Sequence, residues 1–244
     1  MKSCISSKWI VVLIAIGFWS PTFGSEDRAK QASTGDCVFL LHGLARGKWS
    51  MKRLEWQLQK EGYQVINVDY PSTRLSIQQS AEWLDNVVKQ HASSCTGKIH
   101  FVTHSLGGIV VRQYLANRKL SGLGRVVMLA PPNQGSELAQ KFRKNFFYRH
   151  IAGPSGQQLG VGLDGLPARW PKLDYDVGVI AGNRSLNPLF SAWLPGRDDG
   201  KVSVQSTRLD GMRDFRIVHH THTWLAWSKD VIGDTVQFLR TGQF

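Results

Sequence analysis

The chain has 244 residues, room for one large domain or two small ones, and its 42% hydrophobic and 20% charged residues exclude wholesale disorder. Its formal net charge is +12, yet the basic residues are scattered, and the lack of a Lys/Arg block argues against nucleic acid as a partner. Such a surface either keeps the protein in solution or draws it to anionic lipid.

The first 24 residues read as a secretory signal: a short basic start, "MKSCISSK", the apolar stretch "WIVVLIAIGFW", then small residues at Thr22 and Gly24. The apolar run falls well short of the ~20 residues that a membrane helix needs, so cleavage near Gly24–Ser25 is favoured over an uncleaved anchor. Cys4 has no lipid-attachment context. The protein is thus expected to be exported, periplasmic or secreted, which leaves Cys37 and Cys95 in a compartment that permits disulfides.

"CVFLLHG" (37–43) is a compact apolar strand running into a loop. "SMKRLEWQLQKEG" follows as a helix with Ser50 as N-cap and Gly62 as stop signal. "YQVINVDYP" is the next strand, ended by Pro71. From Ser76 onward, Ile77, Ala81, Leu84 and Val88 mark one apolar helical face. "KIHFVTHS" and "LGGIVVRQYLANR" repeat the strand–helix pair. "GRVVMLAPP", "YDVGVIAG" and "DFRIVHH" are further strands, and "SKDVIGDTVQFLR" closes the chain as a helix. Strands alternating with helices predict an α/β domain over 25–244: a mostly parallel sheet with helices on both faces. Residues 133–175 interrupt the alternation and read as an inserted cap, within which "ELAQKFRKNFFYRHIAG" has the look of one amphipathic helix.

The strand before Ser105 runs directly into a helix, which forces a tight turn and lifts the serine Oγ above the carboxyl edge of the sheet. Small residues two before and two after such a serine relieve crowding. Gly107 fits that pattern and Thr103 departs from it. His42-Gly43 sits at the same edge, where the Leu44 amide, with that of Leu106 after the serine, can point at a developing oxyanion. The base must come from the loop between the last strand and the last helix; His222 fits best, His220 second, with His219 still in the strand. For an orienting acid, Asp199 is preferred to Asp198 because Gly200 allows the turn that aims it. Asp164, Asp174 and Asp176 fit less well. No ligand set for a metal and no cofactor motif is evident.

With the order Ser105, Asp199, His222 in place, the chain resembles the α/β-hydrolases of the bacterial lipase- and esterase-like branch, through "LLHGLARG", "VTHSLGG", "APPNQGS", "RDDGKVSV" and "HTWL". The resemblance implies a serine ester hydrolase acting through an acyl-enzyme, with Ser105, Asp199 and His222 as triad and the Leu44 and Leu106 amides as oxyanion donors. It implies no cofactor. An acyltransferase or thioesterase would use the same residues, and a lipid- or partner-binding protein on a hydrolase scaffold would use none. The fold implied also makes the strands after Cys37 and Cys95 parallel neighbours, which makes a disulfide between them one reading and two buried thiols the other. Trp49, Phe142, Phe146, Phe147, Tyr148, Trp170 and Trp193 are either cap core or the wall of an apolar acyl pocket, with Arg143, Lys144 and Arg149 facing water or an anionic interface. Ester or lipid is the expected substrate.

Overall fold

In each short apolar strand successive side chains point to opposite faces, so an unbroken hydrophobic run needs a cover on both sides. The computed structural model, which describes Met1 and residues 35–116, 118–162, 165–170 and 173–244, supplies both covers. The expected export signal lies outside the described residues. Among those described, no helix is long and apolar enough to cross a membrane.

Six strands, β1 (Cys37–Leu41), β2 (Gln64–Val68), β3 (Ile99–His104), β4 (Leu123–Leu129), β5 (Val177–Gly182) and β6 (Asp214–Val218), form one sheet in the order β2-β1-β3-β4-β5-β6. Every pairing is parallel. Cys37, Phe39 and Leu41 of β1 enter a core shared with helices α2 (Ile77–His91) and α3 (Leu106–Ala116). Val38 and Leu40 enter the opposite core, filled by Leu54 and Leu58 of α1 (Lys52–Lys60) and by Val231, Val236 and Phe238 of α7 (Lys229–Thr241). The fold is therefore the doubly covered parallel α/β sheet expected.

Cys37 and Cys95 are joined, with Cα atoms 5.5 Å apart, because Cys37 opens β1 beside Ile99 of β3 and Cys95 lies just before that strand. The bridge closes the amino-terminal edge of the sheet. The carboxyl edge is left to the loops.

Two local expectations are corrected. Ser50 does not cap α1: its hydroxyl donates to the Gly47 carbonyl at 2.8 Å inside a 3-10 turn (Lys48–Met51), and Met51 is the N-cap. The single amphipathic helix of the cap is two helices, α4 (Glu137–Phe142) and α5 (Phe146–Gln157). Asn145 separates them, its side chain accepting from the Tyr148 amide at 3.0 Å as an N-cap while its own amide donates to the Phe142 carbonyl. Residues beyond 175 pack onto this segment. A short helix α6 (Pro188–Ser191), in the loop after β5, packs Phe190 against Phe142 at 6.2 Å, and Trp193 lies 5.3 Å from the same ring.

Candidate active site

Ser105 stands one residue beyond β3 with φ +54°, in the left-handed region that a non-glycine residue enters at a cost of about 1–2 kcal/mol. Its amide donates to the Leu129 carbonyl at the end of β4 (2.8 Å), and its carbonyl accepts from the Gly108 amide (3.0 Å). Both ends of the strained residue are thus pinned, and the chain turns straight into α3. A side chain at Gly107 would meet the carbonyls of Leu41, at the end of β1, and of His42 just beyond it at 2.6 and 2.9 Å, so only glycine lets α3 start this close to the sheet. Thr103, the departure from the usual small residue, is fully buried and its hydroxyl donates to the Val127 carbonyl at 3.4 Å. The β-branched side chain is accommodated because it points toward Gly108, which leaves the space open.

The three candidate histidines have separate fates. His219 Nδ1 meets Asn183 Oδ1 at 3.0 Å on the surface, and His220 pairs with Asp230 at 2.8 Å. His222 alone reaches the carboxylate loop, with Nδ1 2.7 Å from Asp199 Oδ2. The His222 amide also donates to the Asp199 carbonyl at 2.9 Å, tying the two loops together at the backbone.

Asp199 is held from behind. Its Oδ1 accepts from the amides of Lys201 (3.0 Å) and Val202 (2.8 Å), leaving Oδ2 aimed at the imidazole, and the carboxylate is buried. Gly200, at φ +93°, makes the turn that lets the chain fold back on this carboxylate. Asp198 does other work: its Oδ1 accepts from the Gly200 amide at 2.7 Å and from the Ser191 hydroxyl at 2.9 Å, which fastens α6 to the loop.

Ser105 and His222 line one cavity of about 340 Å³, together with Gly43 and Leu44. Leu106 is the first residue of α3, so its N–H has no acceptor within its own helix and lies at the positive end of the helix dipole. The far wall is apolar and comes from the cap: Leu138, Phe142, Tyr148, Ile151 and Leu159 among others. Of the aromatic residues singled out in the sequence, Phe142 and Tyr148 face this cavity. Phe146 and Phe147 are exposed on the outer surface of the cap. Trp170 is elsewhere, stacked under the buried Arg112 guanidinium at 4.6 Å. That cation donates to the Asn133 and Pro167 carbonyls at 3.0 and 3.2 Å, fixing the base of the cap, and burial pushes its pKa down to about 10.

Two supporting residues carried no signal of their own in the sequence. His104, next to the serine, is buried and its Nε2–H donates to the His222 carbonyl at 2.9 Å; burial first, and the His222 ring second, hold its pKa well below the usual histidine value, so it stays neutral. Tyr70 stacks on His42 with ring centroids 4.5 Å apart and donates its hydroxyl to the His42 carbonyl at 2.8 Å, fixing the turn that presents Gly43 and Leu44. Among the described residues, no group of three or more His, Cys, Asp or Glu is placed to hold a metal.

An acyl carbon placed above Ser105 would meet a hydroxyl, an imidazole with an oriented carboxylate behind it, and two amide-bearing turns: the components of acyl transfer. Comparison with known proteins agrees with the fold. Among solved structures, the mature lipase BlEst2 of Bacillus licheniformis superposes with a TM-score of 0.74 at 18% identity, covering 86% of this chain and 94% of that one. The metagenomic carboxyl esterase MGS0156 gives 0.64 at 20% identity over 80% of this chain and 66% of its own. Phospholipase PlaB of Legionella pneumophila gives 0.60 at 20% identity over 71% of this chain and 44% of its own. No curated protein matches by sequence. The model of the alpha/beta hydrolase family matches residues 38–238, and the chain belongs to that family.

Proposed function

We propose that this protein is a serine carboxylic-ester hydrolase of the lipase or esterase kind, with Ser105 as nucleophile, His222 as base and Asp199 as its orienting acid. The reading rests above all on the shared cavity: the strained Ser105 turn and His222 line it together, and Asp199 Oδ2 stands 2.7 Å from His222 Nδ1. Ser105 Oγ attacks the ester carbonyl and its proton passes to His222 Nε2. The Leu44 and Leu106 amides take the oxyanion, and the leaving alcohol departs with the proton from His222. Water then repeats the sequence in reverse roles, releasing the acid and restoring Ser105. Asp199 holds the Nδ1–H tautomer throughout and stabilises the imidazolium.

The apolar cap wall favours an aliphatic acyl group. Away from the cavity lining, Phe147 on α5 and Leu189 on α6 are about 70% exposed, and the cations Lys144 and Arg149, within four residues of Phe147 in the chain, are exposed too. That combination suits an anionic lipid surface as the place where substrate is met. Export, to the periplasm or beyond, agrees with the Cys37–Cys95 disulfide.

The test is hydrolysis of p-nitrophenyl esters from C2 to C16, with Ser105→Ala as blank. Turnover that depends on Ser105 is expected, at least ~10³-fold above the variant. Equal rates in wild type and Ser105→Ala at every chain length would overturn the assignment.

A further inference from the structure

The catalytic cavity carries charge of one sign. Arg46, just after the Leu44 turn, and Lys201, two residues beyond Asp199, both line it, and no Asp or Glu does. Neither cation pairs with a carboxylate among the described residues: the Arg46 guanidinium donates only to the Thr223 hydroxyl, at 3.3 Å. The acids nearby are already engaged. Asp199 accepts from two amides and His222, and Asp69 accepts from the Lys48 amide and lies 3.5 Å from His42. Partial burial of its ammonium first, then the Arg46 charge, draws the Lys201 pKa down, against an opposing pull from Asp199. A concave mouth lined by two cations with no ion-pair partner, and by no carboxylate, attracts an anion, and the attraction grows as a ligand displaces water.

The position of Arg46 says which part of an ester brings that anion. The acyl side runs under the apolar cap, where no charge lines the wall. Arg46 also borders a second groove, of about 580 Å³, that shares Ala45, Arg46 and His104 with the first and is walled by Trp49, Trp224 and Trp227. This groove, too, has no acidic lining residue. Arg46 therefore stands where the acyl cavity opens into the tryptophan groove, on the side left to the alcohol. A guanidinium fork and an ammonium together suit a tetrahedral group with several charged oxygens better than a single carboxylate.

We propose that Arg46 and Lys201 form a subsite for a phosphate carried on the alcohol part of the substrate, so that acyl esters of phosphorylated alcohols are preferred, with the Trp49–Trp224–Trp227 groove taking whatever extends beyond the phosphate. The proposal rests on Ser105 being the nucleophile, and it predicts leaving-group selectivity that the triad alone does not.

The experiment compares 1-hexanoylglycerol 3-phosphate with 1-hexanoylglycerol, both as monomers, in the full chain at low salt. The phosphorylated ester should show kcat/KM at least ~10-fold higher, with the ratio shrinking as salt screens the pair. Arg46→Met with Lys201→Met should bring the ratio toward one, and Arg46→Lys should restore part of it. A wild-type ratio near one, or a ratio that survives the double substitution, overturns the subsite. A preference seen only with long-chain esters in vesicles would assign the two cations to membrane attraction and overturn it equally. Titrating Ser105→Ala with the phosphorylated ester reads binding without turnover, and affinity should fall at least ~10-fold when both cations are removed. That difference, found in a protein with no Ser105-dependent activity, would retire the hydrolase reading and keep the anion site; its absence in an active enzyme would do the reverse.

Discussion

Asp199→Asn separates geometry from chemistry at the proposed triad. Asp199 Oδ1 accepts from the Lys201 and Val202 amides, and an asparagine carbonyl can keep both contacts in place. The amide nitrogen must then take the position of Oδ2, 2.7 Å from His222 Nδ1. An amide N–H only donates, so Nδ1 must lose its proton and Nε2 must hold it. An imidazole protonated at Nε2 cannot accept the Ser105 proton. The loss expected in kcat is about 10⁴-fold, or about 5 kcal/mol of transition-state stabilisation. The fold should change little, by ~1 kcal/mol, since the side chain keeps its shape and exchanges charge-assisted hydrogen bonds for neutral ones. Asp198→Asn is the matched control. Its Oδ1 accepts from Gly200 and Ser191, a carbonyl serves both, and it touches no histidine, so kcat should stay within about threefold of wild type. The assay is kcat on p-nitrophenyl butyrate, with a urea melt of each variant to separate unfolding from catalysis. If Asp199→Asn keeps more than a tenth of wild-type kcat, or Asp198→Asn falls as far, the tautomer argument is wrong.

Two further outcomes concern stability. Reducing the Cys37–Cys95 bridge, which spans 58 positions, should cost roughly 4 kcal/mol by the chain-entropy relation and lower Tm by about 8–16 °C for a domain of this size; a calorimetric shift under ~3 °C would show that the bridge constrains little. His42, His100 and His104 each have pKa values lowered chiefly by burial, so each takes up its proton at lower pH in the fold than in the unfolded chain, which does so below about pH 6.5. Stability is therefore complete above that pH and lost as pH falls through it, by up to ~1.4 kcal/mol per pH unit for each histidine, and a urea midpoint that holds steady from pH 7.5 to 5.5 would contradict this.

The sheet was legible because its signal is local. Each strand is a run of five to seven mostly apolar residues, and the helices between carry one apolar face, so element type and the doubly covered architecture follow from periodicity alone. The Ser105 turn was legible for the same reason: strand, serine and Gly107 are adjacent in the chain. Assigning one histidine and one aspartate from clusters of three and two needed more, namely Gly200 and the distance of each histidine from the closing helix. What escaped was set by contacts between distant segments. Nothing near Phe190 or Trp193 says that they meet Phe142, roughly fifty residues earlier, and so that packing was missed. For Trp170 the sequence left cap core and pocket wall both open, and it is the buried Arg112, distant in the chain, that draws it to the cap's base. Ser50 looked like a cap because it precedes a helix, and a tighter 3-10 turn used its hydroxyl first.

The backbone strain of the molecule points to the same edge as the side chains do. Among the described residues, three other than glycine have positive φ: Ala45 at +52°, Ser105 at +54° and Ala130 at +44°. They follow the carboxyl ends of β1, β3 and β4, three adjacent strands of the sheet. At ~1–2 kcal/mol each, such conformations persist only where surrounding contacts over-determine them. Here those contacts are specific: the Ala45 amide donates to the Ser72 hydroxyl at 3.1 Å, the Ser105 amide to Leu129, and the Ala130 amide to Ile180 at 2.8 Å. In two of the three cases a neighbouring strand supplies the acceptor that holds the turn, so the hydrogen-bonded sheet itself keeps the loops in conformations they would otherwise leave. The disulfide closes the opposite end of β1, away from these turns. Rigidity at one edge and strain at the other are then two aspects of one arrangement: a stapled, doubly covered sheet can hold Ser105 in a raised position that an isolated strand–helix turn would relax.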